Sequence, residues 1–363
     1  MRHKENWEET KARFVAWWSG KPTDRPLMRI IAKRKEPLEP LEPVIPPQDP
    51  ESYHLDVERK VSEMRNFCRT HLFLAEAFPS LDVDLGPGSM ATYLGAEPVF
   101  TWDTVWYTPC FLGDLTQYVD LVYREESFWL QRHLGLVKAA RMLAHDDFLI
   151  NIPDIMESVD VLASLRGAQE LVYDFIDHPE TVRVLIERLD QFYPCYYQAF
   201  YDLVTQEEGS SYTVFAIWGP GRVAKIQCDF SALMSPRQFR EFALPSLARQ
   251  CRFLDYTLYH LDGVDAIKHL DALMEIKELD ALQWTPGFGK PDGGSEEWYP
   301  IYDKVRAAGK ALWINIEEGT LDEWFVKAKK LVERYGPQGL YLLFPIMSQE
   351  EATVLYKEMS DCS

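Results

Sequence analysis

From residue 128 onward, short apolar runs alternate with longer stretches whose apolar positions recur every three or four residues. The short runs read as strands buried on both faces and the longer stretches as amphipathic helices. Strands are expected at Phe148-Leu-Ile-Asn-Ile, Thr213-Val-Phe-Ala-Ile, Lys225-Ile-Gln, Thr257-Leu-Tyr, Ala281-Leu-Gln-Trp, Ala311-Leu-Trp-Ile and Leu340-Tyr-Leu-Leu-Phe. Helices are expected over about 128–145, 159–176, 179–206, 236–253, 264–275, 296–308, 320–335 and 348–359, with Pro194 kinking the third. Such alternation calls for a parallel sheet with crossover helices. The expected fold is α/β, a single (β/α)8 TIM barrel, with an open doubly wound sheet as the alternative. No GxGxxG or GxxxxGK[ST] follows a strand, so no nucleotide cofactor is expected.

The beginning of the chain follows another pattern. Residues 4–19 read as a helix with Trp7, Phe14, Trp17 and Trp18 on its apolar face and Gly20 at its end. Pro26-Leu-Met-Arg-Ile-Ile-Ala reads as a first strand. Glu36-Pro-Leu-Glu-Pro-Leu-Glu-Pro-Val-Ile-Pro-Pro is too rich in proline for a helix or a sheet interior. It reads as a surface strap, with a domain boundary as the alternative. Residues 1–60 are therefore an expected helical arm and strap within the same domain, and 61–363 the barrel. An extended arm can clasp a second copy, so a homodimer is a further expectation.

Composition narrows the partners. With 47% hydrophobic residues a large core is available, and a net charge of -19 disfavours nucleic acid and anionic membranes. No apolar run approaches the roughly 18 residues of a membrane span, and Met1-Arg-His-Lys-Glu starts no secretory segment. A soluble, cytoplasmic protein acting on a small molecule is expected. The six cysteines are scattered without a CxxC pair, which argues against a structural zinc site or disulfide framework.

Candidate chemistry centres on His260-Leu-Asp262-Gly263, directly after the run Tyr256-Thr-Leu-Tyr259. In a β/α barrel the C-terminal ends of strands carry the chemistry. The plainer alternatives are a His260 that bonds a neighbouring carbonyl and an Asp262 that caps a helix at Val264. Asp229 and Glu317 also follow predicted strands; alternatively, one is a turn residue and the other an exposed loop acid. Arg29 faces inward or outward by strand parity. Rings are dense around Trp102 and Trp106, and Trp218 and Trp284 follow predicted strands. They line a pocket or fill space beneath it, and Trp102 and Trp106 also suit one face of a short helix. His71, His133, His145 and His178 show no metal spacing.

Several segments in order carry a resemblance: Gly20-Lys-Pro-Thr-Asp-Arg-Pro, Ser164-Leu-Arg-Gly-Ala-Gln-Glu with Asp177-His-Pro-Glu, Cys228-Asp-Phe-Ser-Ala-Leu-Met-Ser-Pro-Arg-Gln-Phe with Leu244-Pro, and Asn315-Ile-Glu. Over roughly residues 13–359 the chain resembles the uroporphyrinogen decarboxylase superfamily, which includes the haem-pathway decarboxylase and zinc-dependent methyltransferases that serve corrinoid proteins. Against the decarboxylase, Met28-Arg29 matches the first of two arginines and Lys33 stands in place of the second. The tyrosine falls near Ala163 or Ser164, and the late histidine segment falls on Leu343-Phe344-Pro345 without a histidine. Against the methyltransferases, His260 matches the zinc-binding histidine, Asp262 replaces the first cysteine, and Phe344 or Pro345 replaces the second.

The resemblance implies metal-assisted methyl transfer from a methoxy or methylamine donor to a corrinoid protein docked over the barrel mouth. His260, Asp262 and Glu317 would hold Zn2+ or another divalent ion, with Asp229 a further possible ligand. Asp229 and Arg29 would act on the substrate, and Lys33, Trp102, Trp106, Trp218 and Trp284 would bind it, with rings stacked on an aromatic donor or caging an amine. The first alternative is decarboxylation of an acid clamped by Arg29 and Lys33, and the second a binding barrel without catalysis.

Overall fold

The apolar runs pair into one central sheet. A computed structural model describes residues 1–205, 209–212 and 215–360. Its strands are β1 (Leu27–Lys33), β2 (His71–Ala75), β3 (Ser80–Leu81), β4 (Glu97–Phe100), β5 (Val105–Thr108), β6 (Leu149–Ile150), β7 (Ser210–Tyr212), β8 (Ile217–Gly219), β9 (Val223–Gln227), β10 (Tyr256–Asp262), β11 (Ala281–Thr285), β12 (Ala311–Asn315), β13 (Leu340–Leu343) and β14 (Met347–Ser348). β9, β10, β11, β12, β13 and β1 lie side by side, all parallel, with β14 parallel and β2 antiparallel to β1. Helices cover the sheet, and residues such as Leu258, Leu282 and Leu312 have no exposed surface, as expected of parallel strands packed on both faces.

Beyond β9 the strands are joined by shorter contacts. β3 pairs with β6, Ile152 bridges to Tyr212 of β7, and Ser210 Oγ of β7 accepts from the Val223 amide of β9 at 3.1 Å. Among the described residues no pairing joins β1 to β3. Antiparallel β2 occupies that edge of β1, so backbone pairing does not close the ring of the expected barrel.

The expected helices form with local breaks. Gly167, at φ +92°, divides the helix predicted over 159–176 into Ser158–Arg166 and Ala168–Asp177. The helix Pro179–Val204 runs through Pro194, and the 236–253 helix contains one wider turn at Phe239–Ala243. Thr213 and Val214 of one predicted strand lie outside the described residues; β7 and β8 flank them as an antiparallel pair.

The N-terminal helix, Trp7–Trp18, is not an outlying arm. Phe14 and Trp17 are fully buried against Tyr341 near the start of β13, with ring centroids 5.5 and 5.7 Å away. Trp18 packs on Tyr256 at the start of β10, and its Nε1 donates to the Trp218 carbonyl at 2.8 Å. Four large apolar residues on one helical face cannot stay in water, so the helix seals the N-terminal ends of the strands. Residues 36–47 contain no helix or strand, and they are tied down by ion pairs from Arg2 to Glu39 and from Arg69 to Glu42. No described helix is long and apolar enough to cross a membrane.

Candidate metal centre

Register decides which side chains share a face. His260 pairs with Gln227 of β9 and Gln283 of β11; Gln283 pairs with Trp313, Trp313 with Tyr341, and Tyr341 with Leu27. Two residues further along, Asp262 pairs with Thr285, while Asn315, Leu343 and Arg29 are paired in turn. Because side chains alternate along a strand, all of these share one face. The segment Phe215–Ala216 fills that face on the N-terminal side. Trp313 Nε1 donates to the Phe215 carbonyl at 2.7 Å, Tyr341 Oη to the Ala216 carbonyl at 3.0 Å, and the Phe215 ring meets His260 edge-on at 5.2 Å.

Above this floor, at the C-terminal ends of β9 and β10, Asp229, His260 and Asp262 converge. Each offers one ligand atom within 4.8 Å of the others. Both carboxylates are exposed and the imidazole is half-buried, so solvent reaches the site. Gly263, not Asp262, precedes the turn at Val264, and no side chain caps it. His260 Nδ1 faces the Gln283 side-chain oxygen rather than a carbonyl of the rim, and Gln283 Nε2 donates to Thr285 Oγ1 at 2.9 Å. Burial first, then the Lys225 charge, lowers the His260 pKa and keeps the ring neutral.

Charge beside the site is unbalanced. Lys225, buried on β9, pairs with Asp154 at 2.6 Å and donates to Gln227 Oε1; Gln227 Nε2 donates to Asp229 at 2.8 Å. Burial would strip the Lys225 proton, but Asp154, Glu157 and Asp229 outweigh that effect and raise its pKa. Asp160 accepts from the backbone amides of Asp229 and Phe230 at 2.8 and 2.9 Å. Glu157 is buried, with the Gln227 backbone amide near its carboxylate, and burial pushes its pKa well up. Although Asp229 is exposed as a residue, its carboxyl is crowded. Desolvation and then the neighbouring Asp160 raise it to about 7. The Lys225 ammonium thus interacts with Asp154, Glu157, Asp160 and Asp229, and Asp262 adds its carboxylate beside Asp229, an arrangement that favours an added cation.

The donor set suits a hard or borderline divalent ion. It offers two carboxylates, one neutral imidazole and solvent-reachable positions, which Zn2+ accepts and which several other ions accept equally. It offers no thiolate: Cys228 is buried, and burial holds its proton on.

The other expected residues are scattered. Glu317 accepts from the Asn315 side chain and is outside the group of three. Arg29 lies on the same face as His260, half-buried, and desolvation lowers its pKa. It has no carboxylate partner among the described residues. Lys33 is exposed at the end of β1. Trp284 neighbours Gln283 and so points to the opposite face, where it is buried against Trp298 at 5.3 Å. Trp218 is buried at the other end of the strands, 5.6 Å from Trp7. Neither therefore lines the mouth. Trp102 and Trp106 lie at and beside the turn of the β4–β5 hairpin rather than on a helix, 54% and 65% exposed.

Sequence reasoning missed Lys225, Gln227, Gln283 and the acids Asp154, Glu157 and Asp160. Asp154 could have been found by the rule that singled out His260, since it follows a predicted strand. Two surface cavities of about 610 and 630 Å3 lie elsewhere, bordered by Asp322 and Lys327 in one case and by Arg34 and Tyr356 in the other.

Compared with solved structures, the chain resembles a methyltransferase from Methanosarcina mazei, with a TM-score of 0.60 over 97% of this chain and 98% of that one, at 16% identity. The two share a fold. No family model matches the sequence, and no curated protein does.

Proposed function

We propose that this protein is a methyltransferase that takes a methyl group from a methoxy or methylamine donor and passes it to a corrinoid protein at the C-terminal rim of its sheet. The proposal includes closure of that sheet into a barrel around the site. The observation that carries it is the convergence of Asp229, His260 and Asp262 within 4.8 Å where β9 and β10 end. The fold shared with a methyltransferase supports the same reading.

Asp229, His260 and Asp262 would hold a divalent ion. Bound there, the ion would supply Lewis acidity toward the ether oxygen or amine nitrogen of the donor. A hard donor set suits an oxygen or nitrogen substrate better than a thiol. Arg29, unpaired on the same face, would bind an anionic group of the donor in two-pronged fashion. Phe215 and Trp313 would exclude water from the inner side of the site. Lys225 would hold Asp154 in place through their ion pair and, together with burial, keep His260 neutral.

The unpaired Arg29 also favours a second reading: decarboxylation of a small acid held by Arg29, which needs no ion. Elemental analysis of freshly purified protein separates the two. Methyl transfer predicts near-stoichiometric divalent metal that is lost in His260→Ala. Metal-free protein with unchanged ligand binding in that variant would refute it.

A further inference from the structure

Two glutamine side chains touch the candidate ligands, one on each flanking strand. Gln283 on β11 presents Oε1 to His260 Nδ1 and is held from the other side by its bond to Thr285 Oγ1. An amide oxygen only accepts, so Nδ1 must carry the proton. In a neutral imidazole that leaves Nε2 with the bare lone pair. Gln227 on β9 is oriented from the inner side. The Lys225 ammonium can only donate, so it takes Gln227 Oε1 and turns the Nε2 amide toward Asp229. One oxygen of Asp229 is thereby engaged and the other is left for a ligand. Both glutamines are buried, at 4% exposure, and are paired in register with His260 itself.

We infer that Gln283 is a positioning residue for the ion site, acting by fixing the His260 tautomer. This rests on the ion-binding reading above. A buried glutamine that served only packing would need no acceptor aimed at a ring nitrogen. Outer partners that orient metal ligands typically influence affinity by about 10–100-fold.

The test uses the full chain, with Zn2+ and Co2+ as probes, and four proteins: wild type, Gln283→Leu, Gln283→Glu and, for spectral assignment, His260→Ala. Circular dichroism and thermal melting establish that each is folded. Long-range 1H–15N spectra of histidine-labelled, metal-free protein report the His260 tautomer, assigned by its loss in His260→Ala. The expected wild-type result is a protonated Nδ1 and a bare Nε2. Gln283→Leu should populate the other tautomer and bind both ions about 10–100-fold more weakly. Gln283→Glu keeps the acceptor and should bind at least as tightly as wild type.

A wild-type ring protonated on Nε2 overturns the inference, as does a leucine variant that binds within twofold of wild type. Equal weakening by leucine and glutamate reduces the role to packing and overturns it as well. A wild type that takes up neither ion removes the ion-binding reading, and the inference with it. Tight wild-type binding that ignores Gln283 removes the inference alone.

Discussion

Lys225 Nζ lies 2.6 Å from Asp154 Oδ2, joining the middle of β9 to the loop beyond β6 across a stretch where backbone pairing is sparse. The pair is largely buried, and Lys225 sits among the acids Asp154, Glu157 and Asp229. Lys225→Met should strand Asp154 and Glu157 without it. The expected loss is about 3–5 kcal/mol in urea unfolding, the range for breaking a buried ion pair from one side. A loss below about 1 kcal/mol would mean that water already screens the acids.

The N-terminal helix contributes stability through its aromatic face. Trp17 is fully buried between Trp18, Phe14 and Tyr341. Trp17→Ala should cost roughly 3–5 kcal/mol of unfolding free energy, the usual range for emptying a large aromatic site. Trp106→Ser on the exposed hairpin should stay within about 0.5 kcal/mol of wild type. Equal effects of the two would contradict the packing described.

Lys4 provides a pH signature. It is buried and donates to the carbonyls of Phe73 and Ala75, and desolvation lowers its pKa to about 8. Between pH 8 and its ordinary value near 10.5 the unfolded chain binds the extra proton, so this group's contribution to stability rises with pH. Tyrosines and cysteines titrate in the same range, and a comparison with Lys4→Met cancels them. The wild type should gain roughly 2 kcal/mol on the variant between pH 8 and 10. A flat difference would place a normal amine at that position.

The parts legible in the sequence were those written in long, one-directional patterns. The apolar runs from Ala281 to Phe344 give β11 to β13 almost residue for residue, since a buried parallel strand leaves no choice of composition. Asp229, His260 and Asp262 were legible because each closes such a run. The β4–β5 hairpin was not: its strands have only four residues, one of them holding Pro98, and two exposed tryptophans mimic a helical stripe. Trp284 was misplaced for want of parity, being one residue from Gln283 and therefore on the other face. Lys225 and Gln227 looked like ordinary alternation, because only register with His260 shows that they face the site. Glu317 follows β12 as Asp229 follows β9, yet Asn315 takes up its carboxylate.

X-ray absorption at the zinc edge, on protein loaded with one equivalent of Zn2+, tests the central claim most directly. The site of Asp229, His260 and Asp262 predicts a first shell of one imidazole nitrogen and otherwise oxygen, at about 2.0–2.2 Å. It also predicts that the imidazole signature vanishes in His260→Ala. A sulfur shell near 2.3 Å, or an imidazole signal unchanged in that variant, would place the ion elsewhere and contradict the account.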